Sequence, residues 1–111
     1  MGLKIFGSIF FAFASLITVS LLWKNNLLCF LVLTTIAVLM ILIEKSKVEI
    51  IVFLLNGLAG AIAEITAVYF GVWSYSNPAI GGIPYWLPII WGIATIHIIR
   101  AYKFFSKRSK T

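Results

Sequence analysis

Most of this 111-residue sequence lies in four apolar segments that are separated by short polar or turn-forming breaks. The segments cover residues 5–23, 27–43, 50–73 and 85–102. A helix needs about 20 predominantly apolar residues to cross the hydrocarbon core of a bilayer. The spacing therefore predicts an all-α integral membrane protein. We expect a bundle of four transmembrane helices that forms a single domain over residues 1–111, with a basic tail at 103–111.

The composition supports this class. Charged residues make up 11% of the sequence and hydrophobic residues 62%, whereas ordinary soluble domains carry about 25% charged residues. The first segment is longer than the apolar core of a signal peptide and ends at Trp23-Lys24, so we expect it to be retained. A lone Cys29 excludes an intrachain disulfide and a cysteine metal cluster.

The net charge of +6 is concentrated at segment ends instead of along one helix face. Eight of the nine basic residues fall on the side that carries both predicted termini and the middle loop: Lys4, Lys45, Lys47, Arg100, Lys103, Lys107, Arg108 and Lys110. Because cytoplasmic loops carry an excess of Lys and Arg, this bias predicts a multi-pass protein of the cell membrane with cytoplasmic termini. It also favours membrane lipid as the partner of the basic tail and argues against nucleic acid.

Glu64 is the main candidate for a functional residue, because it is a carboxylate inside the third apolar segment. An ionisable group in a membrane span is costly and normally faces the bundle interior, paired with another polar group. At 1.5 Å per residue, Glu64 lies about 14 Å below Trp73 and His97 about 18 Å below Tyr85. The similar depths predict a Glu64–His97 catalytic pair that shares or donates a proton. The alternatives are a Glu64 that only joins helices and a His97 that only donates a structural hydrogen bond.

The same depth count offers a second pair, Arg100 with Asn56, although Arg100 also fits a cation that reaches toward the membrane surface. Small residues recur every fourth position on the third segment, which predicts close helix packing. One such row is Ala59, Ala63, Ala67 and Gly71, and another begins at Gly57 and Ala61. Asn56, Gly60 and Glu64 form another row beside them, which predicts a polar face next to the packed one.

The predicted outer rim of the bundle is aromatic. Trp23, Trp73, Tyr75, Tyr85 and Trp86 lie at or near the predicted outer ends of the spans, where such rings settle at the headgroup level. The loop over residues 74–84 carries turn signals but no charge, so it fits either a lid over the bundle or a tight surface loop. One His and one deep Glu are too few ligands for a metal site, and no cofactor is implied.

Part of the sequence resembles a known family. The residues concerned are Glu64, the run Phe70-Gly71-Val72-Trp73-Ser74-Tyr75, the run Gly81-Gly82-Ile83-Pro84-Tyr85-Trp86-Leu87-Pro88, and Trp91. This stretch resembles membrane carotenoid-biosynthesis proteins of the carotenoid hydratase type. The resemblance implies a polyene or isoprenoid substrate, with Glu64 as the acid that protonates a double bond. Trp73, Trp86 or Trp91 would then stabilise the carbocation by cation–π contact. Members of that family are longer, which implies a homo-oligomer or a larger membrane partner.

Three functions therefore remain open. The first is an isoprenoid- or carotenoid-modifying enzyme or subunit, with Glu64 and His97 as catalytic residues and a hydrophobic small molecule as substrate. The expected substrate-binding residues are Asn56, Trp73, Tyr75, Trp86 and Trp91. The second is a small proton-coupled transporter of lipophilic compounds; small multidrug transporters are similar in size and span number, but their essential Glu lies in the first span. The third is a non-catalytic assembly or lipid-binding subunit.

Overall fold

The structure is a computed structural model that describes the backbone of residues 2–109 and the side chains of residues 6–107. Within that range the chain is all-helical, with four helices: α1 (Gly2–Leu22), α2 (Asn26–Glu44), α3 (Lys47–Tyr69) and α4 (Leu87–Ser109). The predicted all-α, four-helix architecture is thus confirmed. In the described residues, α2 and α3 are long and apolar enough to cross a membrane, whereas the apolar part of α1, Phe6–Leu22, is shorter.

The predicted basic tail continues α4 as a helix as far as Ser109. Lys110 and Thr111, and the side chains of Lys4 and Arg108, lie outside the described residues.

A backbone cap at the end of α2 and a side-chain cap at the start of α3 define their short connection. Lys45 adopts a left-handed backbone with φ of 53° and ends α2, and Ser46 then accepts a hydrogen bond from the backbone N–H of Glu49. Such a serine cap satisfies one of the free N–H groups in the first turn of a helix. Glu49 therefore belongs to the first turn of α3 instead of a polar loop, and it is buried.

The third helix ends earlier than the sequence predicts. It stops at Tyr69, whereas the apolar segment continues to Trp73. Gly71 follows with φ of +76°, a left-handed conformation that glycine adopts without steric cost. Trp73 therefore lies in the loop over residues 70–86, and Glu64 is only five residues from the end of α3.

This loop folds back on the end of α3. A Cβ atom at Gly82 would lie 2.5 Å from Cγ1 of Val68, so the backbone of the loop approaches the helix closely. Ile83 is 1% exposed and Pro84 is also buried. Asn77 connects the loop to the α1–α2 turn, because its side-chain amide donates hydrogen bonds to the carbonyl oxygens of Trp23 and Lys24. Of the two predicted arrangements, the loop adopts the one that covers the bundle.

The helices pack in an α3–α4 pair and an α1–α2 pair, with α4 also touching α1 and α2. The buried core includes Cys29, Leu33 and Met40 of α2 and Ile93 and Ile96 of α4. The close-packed row on α3 is Gly57, Gly60 and Ala61, which are buried, and not the row through Ala59 and Ala63, which is exposed. The buried residues recur at three- and four-residue spacing, so they share the helix face that meets α4.

Candidate functional site

Glu64 receives hydrogen bonds from three aromatic side chains. The indole Nε1 of Trp73 and the hydroxyl of Tyr75 donate to its Oε1 over 2.9 Å and 2.7 Å. The indole Nε1 of Trp91 donates to Oε2 over 3.3 Å. Trp73 and Tyr75 belong to the loop, Trp91 to the first turns of α4, and Glu64 to α3. We call these four residues the Glu64 clamp.

A glycine on α3 makes the contact with Trp91 possible. Gly60 is one helical turn before Glu64, and a Cβ atom built on it would overlap Cγ and Cδ2 of the Trp91 indole. The indole ring therefore lies against the bare backbone of Gly60, with its N–H reaching the carboxylate one turn further along. Glycine is required here for space and not for backbone conformation.

The early end of α3 supplies the other two donors. Because the chain leaves the helix at Phe70, the loop turns back and brings Trp73 and Tyr75 to a carboxylate that lies nine and eleven residues before them. Trp73 is 49% exposed, so the clamp is open on that side. Glu64 itself is half-buried.

The clamp is built to hold a carboxylate. An ionised carboxylate accepts hydrogen bonds only, and an indole N–H can only donate. Hydrogen bonds to a charged acceptor are stronger than neutral ones, at about 1.5–3 kcal/mol each. The two indoles and the phenol thus compensate the negative charge of Glu64, and their ring faces provide aromatic surface beside it.

The clamp also acts on Tyr75. Burial, the hydrogen bond to Glu64 and the negative charge of that carboxylate together raise the pKa of Tyr75 to about 12, against a lowering by its hydrogen bond with Trp73. The folded protein therefore favours the neutral phenol, which is the form that donates to Glu64. This contribution to stability is complete below about pH 10, the ordinary tyrosine pKa. It is lost as the pH rises toward about 12.

We expect an alkaline titration to reveal this residue. The difference in phenolate absorbance between the wild-type protein and Tyr75→Phe should have its midpoint near pH 12. In the Glu64→Gln background the midpoint should fall, because the negative charge is gone. A Tyr75 midpoint near pH 10 in the wild-type protein, the ordinary tyrosine value, would contradict the clamp.

His97 is not part of the clamp. Its Nδ1 is hydrogen-bonded to Oγ of Ser8 on α1 over 2.8 Å, and no hydrogen bond joins it to Glu64 in the described part of the chain. The predicted pairing of Glu64 with His97 is therefore wrong in this structure.

The prediction failed because it took Trp73 and Tyr85 as helix ends. In the structure, Glu64 is about 8 Å from the end of α3 and His97 about 15 Å from the start of α4. Trp91, about 6 Å into α4, is at the matching depth.

The second predicted pair is also wrong. The side-chain amide of Asn56 donates to the Thr95 hydroxyl, and not to Arg100. Arg100 instead binds the buried carboxylate of Glu49 with two donors, over 2.9 Å and 3.1 Å, and donates to the Met40 carbonyl. This ion pair ties α2, α3 and α4 together at the end of the bundle away from Glu64. Sequence reasoning missed it because it assigned Glu49 to a loop.

Trp86 is separate from the clamp as well. It is 8% exposed and lines a cavity under the loop, together with Tyr75. Of the five predicted substrate-binding residues, the structure thus brings Trp73, Tyr75 and Trp91 to Glu64, and leaves Asn56 and Trp86 elsewhere. No group of three His, Cys, Asp or Glu side chains in the described residues could hold a metal ion.

Comparisons with family models, with curated proteins and with solved structures returned no match, so the resemblance to carotenoid-biosynthesis proteins stays a prediction.

Proposed function

We propose that this chain is a four-span protein of the cell membrane, with cytoplasmic termini, that binds a bilayer-dissolved hydrophobic molecule at the Glu64 clamp and stabilises positive charge on it. The clamp carries this proposal: one carboxylate, held by two indoles and a phenol, in a chain that exposes many large hydrophobic side chains. A carboxylate attracts positive charge directly, and the faces of Trp and Tyr attract it through their ring quadrupoles.

The surface of the bundle supports a membrane location. Leu54, Leu55 and Leu58 of α3 are each 63% exposed, and Phe6 and Phe10 of α1 are 71% and 66% exposed. Soluble monomers rarely expose contiguous apolar patches of more than a few hundred Å². The longest dimension of the chain is 47 Å, close to the roughly 40–45 Å of a bilayer with its headgroups. Membrane insertion of all four helices would bury these faces in lipid.

The first form of this function is an enzyme that acts on a polyene or other isoprenoid, as the resemblance implies. In its protonated form, Glu64 would transfer that proton to one carbon of a double bond, the π electrons forming the new C–H bond and leaving a carbocation on the other carbon. The three donors of the clamp would then stabilise the carboxylate that remains, and the exposed ring of Trp73 would face the cation. Addition of water to the carbocation, with return of its proton to Glu64, would complete a hydration. Donors placed for a charge that develops during a reaction lower its barrier.

The second form is a transporter of lipophilic cations. The observation that favours it is the open side of the clamp, where Trp73 is half-exposed beside a carboxylate that no described ion pair neutralises. A permanent cation could bind there without any chemical step, and a proton could take its place on Glu64.

The test uses the isosteric variant Glu64→Gln. The wild-type protein and the variant are purified from membranes in a mild detergent, and their co-purifying molecules are extracted and identified by mass spectrometry. We expect a polyene, isoprenoid or organic cation with the wild-type protein. Its yield should fall about tenfold in Glu64→Gln, equivalent to about 1.4 kcal/mol. The matched control is Glu44→Gln, which removes a carboxylate at the other end of the bundle and should keep the molecule.

The chemical nature of the molecule distinguishes the two forms. A hydrated or otherwise modified isoprenoid supports the enzyme, and an unmodified cation with Glu64-dependent uptake into liposomes supports the transporter. If Glu64→Gln and the wild-type protein are both fully helical and yield equal amounts of the molecule, Glu64 has no role in binding it. Loss of a co-purifying protein instead of a small molecule would indicate an assembly subunit.

A further inference from the structure

The two halves of the loop over residues 70–86 are attached to the bundle in different ways. The second half is buried in apolar contacts, and Ile83 is only 1% exposed. The first half is mostly exposed, and it carries Trp73 and Tyr75, the two loop donors of the Glu64 clamp. The position of this exposed half therefore decides whether Glu64 has three donors or one.

Two asparagines join the first half of the loop to the turn between α1 and α2. The side-chain amide of Asn77 donates to the carbonyl oxygens of Trp23 and Lys24, over 3.0 Å and 2.8 Å. The side-chain amide of Asn26, the first residue of α2, donates in return to the main-chain carbonyl of Asn77 over 3.0 Å. We call Asn26 and Asn77 the asparagine latch.

The latch uses carbonyl groups at a helix end. The last carbonyl groups of a helix have no N–H partner within it. α1 ends at Leu22, and the carbonyls of Trp23 and Lys24 follow directly. No main-chain N–H in the described part of the chain donates to either of them. The amide group of Asn77 carries two N–H donors, which match the two free carbonyl oxygens.

We propose that the asparagine latch positions the Glu64 clamp, because it holds Asn77 at the end of α1 and thereby keeps Tyr75 and Trp73 on the carboxylate. The chain from Tyr75 to Asn77 spans at most about 7 Å, so a displacement of Asn77 moves Tyr75 as well. Asn26 and Asn77 make no hydrogen bond to Glu64 in the described residues, so they are positioning residues. The inference rests on the proposed function only for the claim that this carboxylate binds a ligand.

The third donor of the clamp does not depend on the latch. Trp91 lies on α4, and its indole ring packs against Gly60 of α3. Its hydrogen bond to Glu64 is therefore set by the packing of two helices. Opening of the latch releases Trp73 and Tyr75 and leaves Trp91 in place. The latch thus controls both the number of donors on the carboxylate and the access to it from the loop side.

The test breaks the latch with a substitution that keeps the size of the side chain. Asn77→Asp replaces both N–H donors with a carboxylate, which only accepts hydrogen bonds when ionised. The new charge faces the carbonyl oxygens of Trp23 and Lys24 and is repelled by them. The matched control is Ser76→Ala, at the exposed neighbouring position. We expect Ser76→Ala to behave like the wild-type protein in every measurement.

Two spectroscopic signals report the position of the loop. A ¹⁵N-labelled sample gives one indole N–H signal for each of the four tryptophans, and Trp→Phe variants assign them. In Asn77→Asp we expect the Trp73 signal to move upfield, because its hydrogen bond to Glu64 is lost, while the Trp91 signal changes much less. The phenolate midpoint of Tyr75, measured against Tyr75→Phe in the same background, should fall from about 12 toward the ordinary value near 10.

The contrast between the two indoles identifies positioning. A general loss of structure would move the Trp91 signal as much as the Trp73 signal. If Asn77→Asp leaves the Trp73 signal and the Tyr75 midpoint unchanged, the proposal is wrong. Equal shifts of both indole signals in a variant that stays fully helical would also overturn it.

Asn26→Asp opens the latch from the other side. Its carboxylate cannot donate to the Asn77 carbonyl, but a negative charge is favourable in the first turn of a helix, so α2 should be preserved. We expect the same contrast between Trp73 and Trp91, with smaller shifts because both hydrogen bonds from the Asn77 side chain remain. If Asn77→Asp fails to fold, Asn26→Asp decides by the same criteria.

Failure of this proposal is distinguishable from failure of the proposed function. The Trp73 and Tyr75 signals need no ligand, so they test the latch whether or not Glu64→Gln retains its co-purifying molecule. Conversely, wild-type signals in Asn77→Asp leave the dependence of that molecule on Glu64 unchanged. Where both proposals hold, the yield of the molecule falls in Asn77→Asp and keeps its wild-type level in Ser76→Ala.

Discussion

Replacement of Arg100 by Met should destabilise the protein by about 3–5 kcal/mol, the cost of breaking a buried ion pair by removing one partner. Glu49 is 1% exposed and receives both of its ionic hydrogen bonds from Arg100. Methionine keeps the apolar stem but leaves the carboxylate buried without a counter-ion. The link from Arg100 to the Met40 carbonyl of α2 is lost in the same variant. Unfolding of the detergent-solubilised protein, followed by helical circular dichroism, measures the change.

A double variant identifies the cause. Arg100→Met combined with Glu49→Leu removes both charges, and such replacements are often neutral or stabilising. We expect the double variant to recover most of the lost stability. The matched control is Lys103→Met, an exposed cation one turn further along α4, which should change stability by less than about 0.5 kcal/mol. A double variant no more stable than Arg100→Met would show that the lost contact with the Met40 carbonyl, and not the unpaired charge, causes the destabilisation.

Substitution of Gly60 by Ala should disrupt the Glu64 clamp although it adds only one methyl group. The new Cβ overlaps the ring of Trp91, so the indole has to move and its hydrogen bond to Glu64 breaks. Overpacking of this kind typically costs about 1–3 kcal/mol. The indole N–H signal of Trp91 should shift, and binding of the co-purifying molecule should weaken as in Glu64→Gln.

Gly7→Ala is the matched control for this substitution. A Cβ atom at Gly7 meets no atom within 4 Å, so the same change on α1 is free of any clash. Alanine inside a helix is more favourable than glycine by about 0.5–1 kcal/mol. We therefore expect opposite signs for the two variants. If Gly60→Ala were as stable as Gly7→Ala and kept the Trp91 signal, the proposed role of Gly60 would be wrong.

Much of the secondary structure could be predicted from the sequence, because apolar run length and short polar breaks are local properties. Each helix overlaps its expected segment, although α4 continues seven residues beyond residue 102, and Glu64 is correctly identified as a carboxylate that needs partners. The predicted positions of the helix ends were less accurate. The left-handed turn at Gly71 and the cap at Ser46 moved the bounds of α3 by three to four residues at each end. These shifts were enough to move Glu49 into a helix and Trp73 into a loop.

The sequence by itself determined the helical class, the number of helices and the scarcity of charge that makes each ionisable group informative. Only the tertiary structure decided the partners of those groups. A depth count estimates height along a helix, but rotation about the helix axis depends on packing. Gly60 sets the approach of Trp91, and the folded-back loop brings Tyr75 to the carboxylate. For that reason Glu64 binds aromatic donors instead of His97, and Arg100 binds Glu49 instead of Asn56.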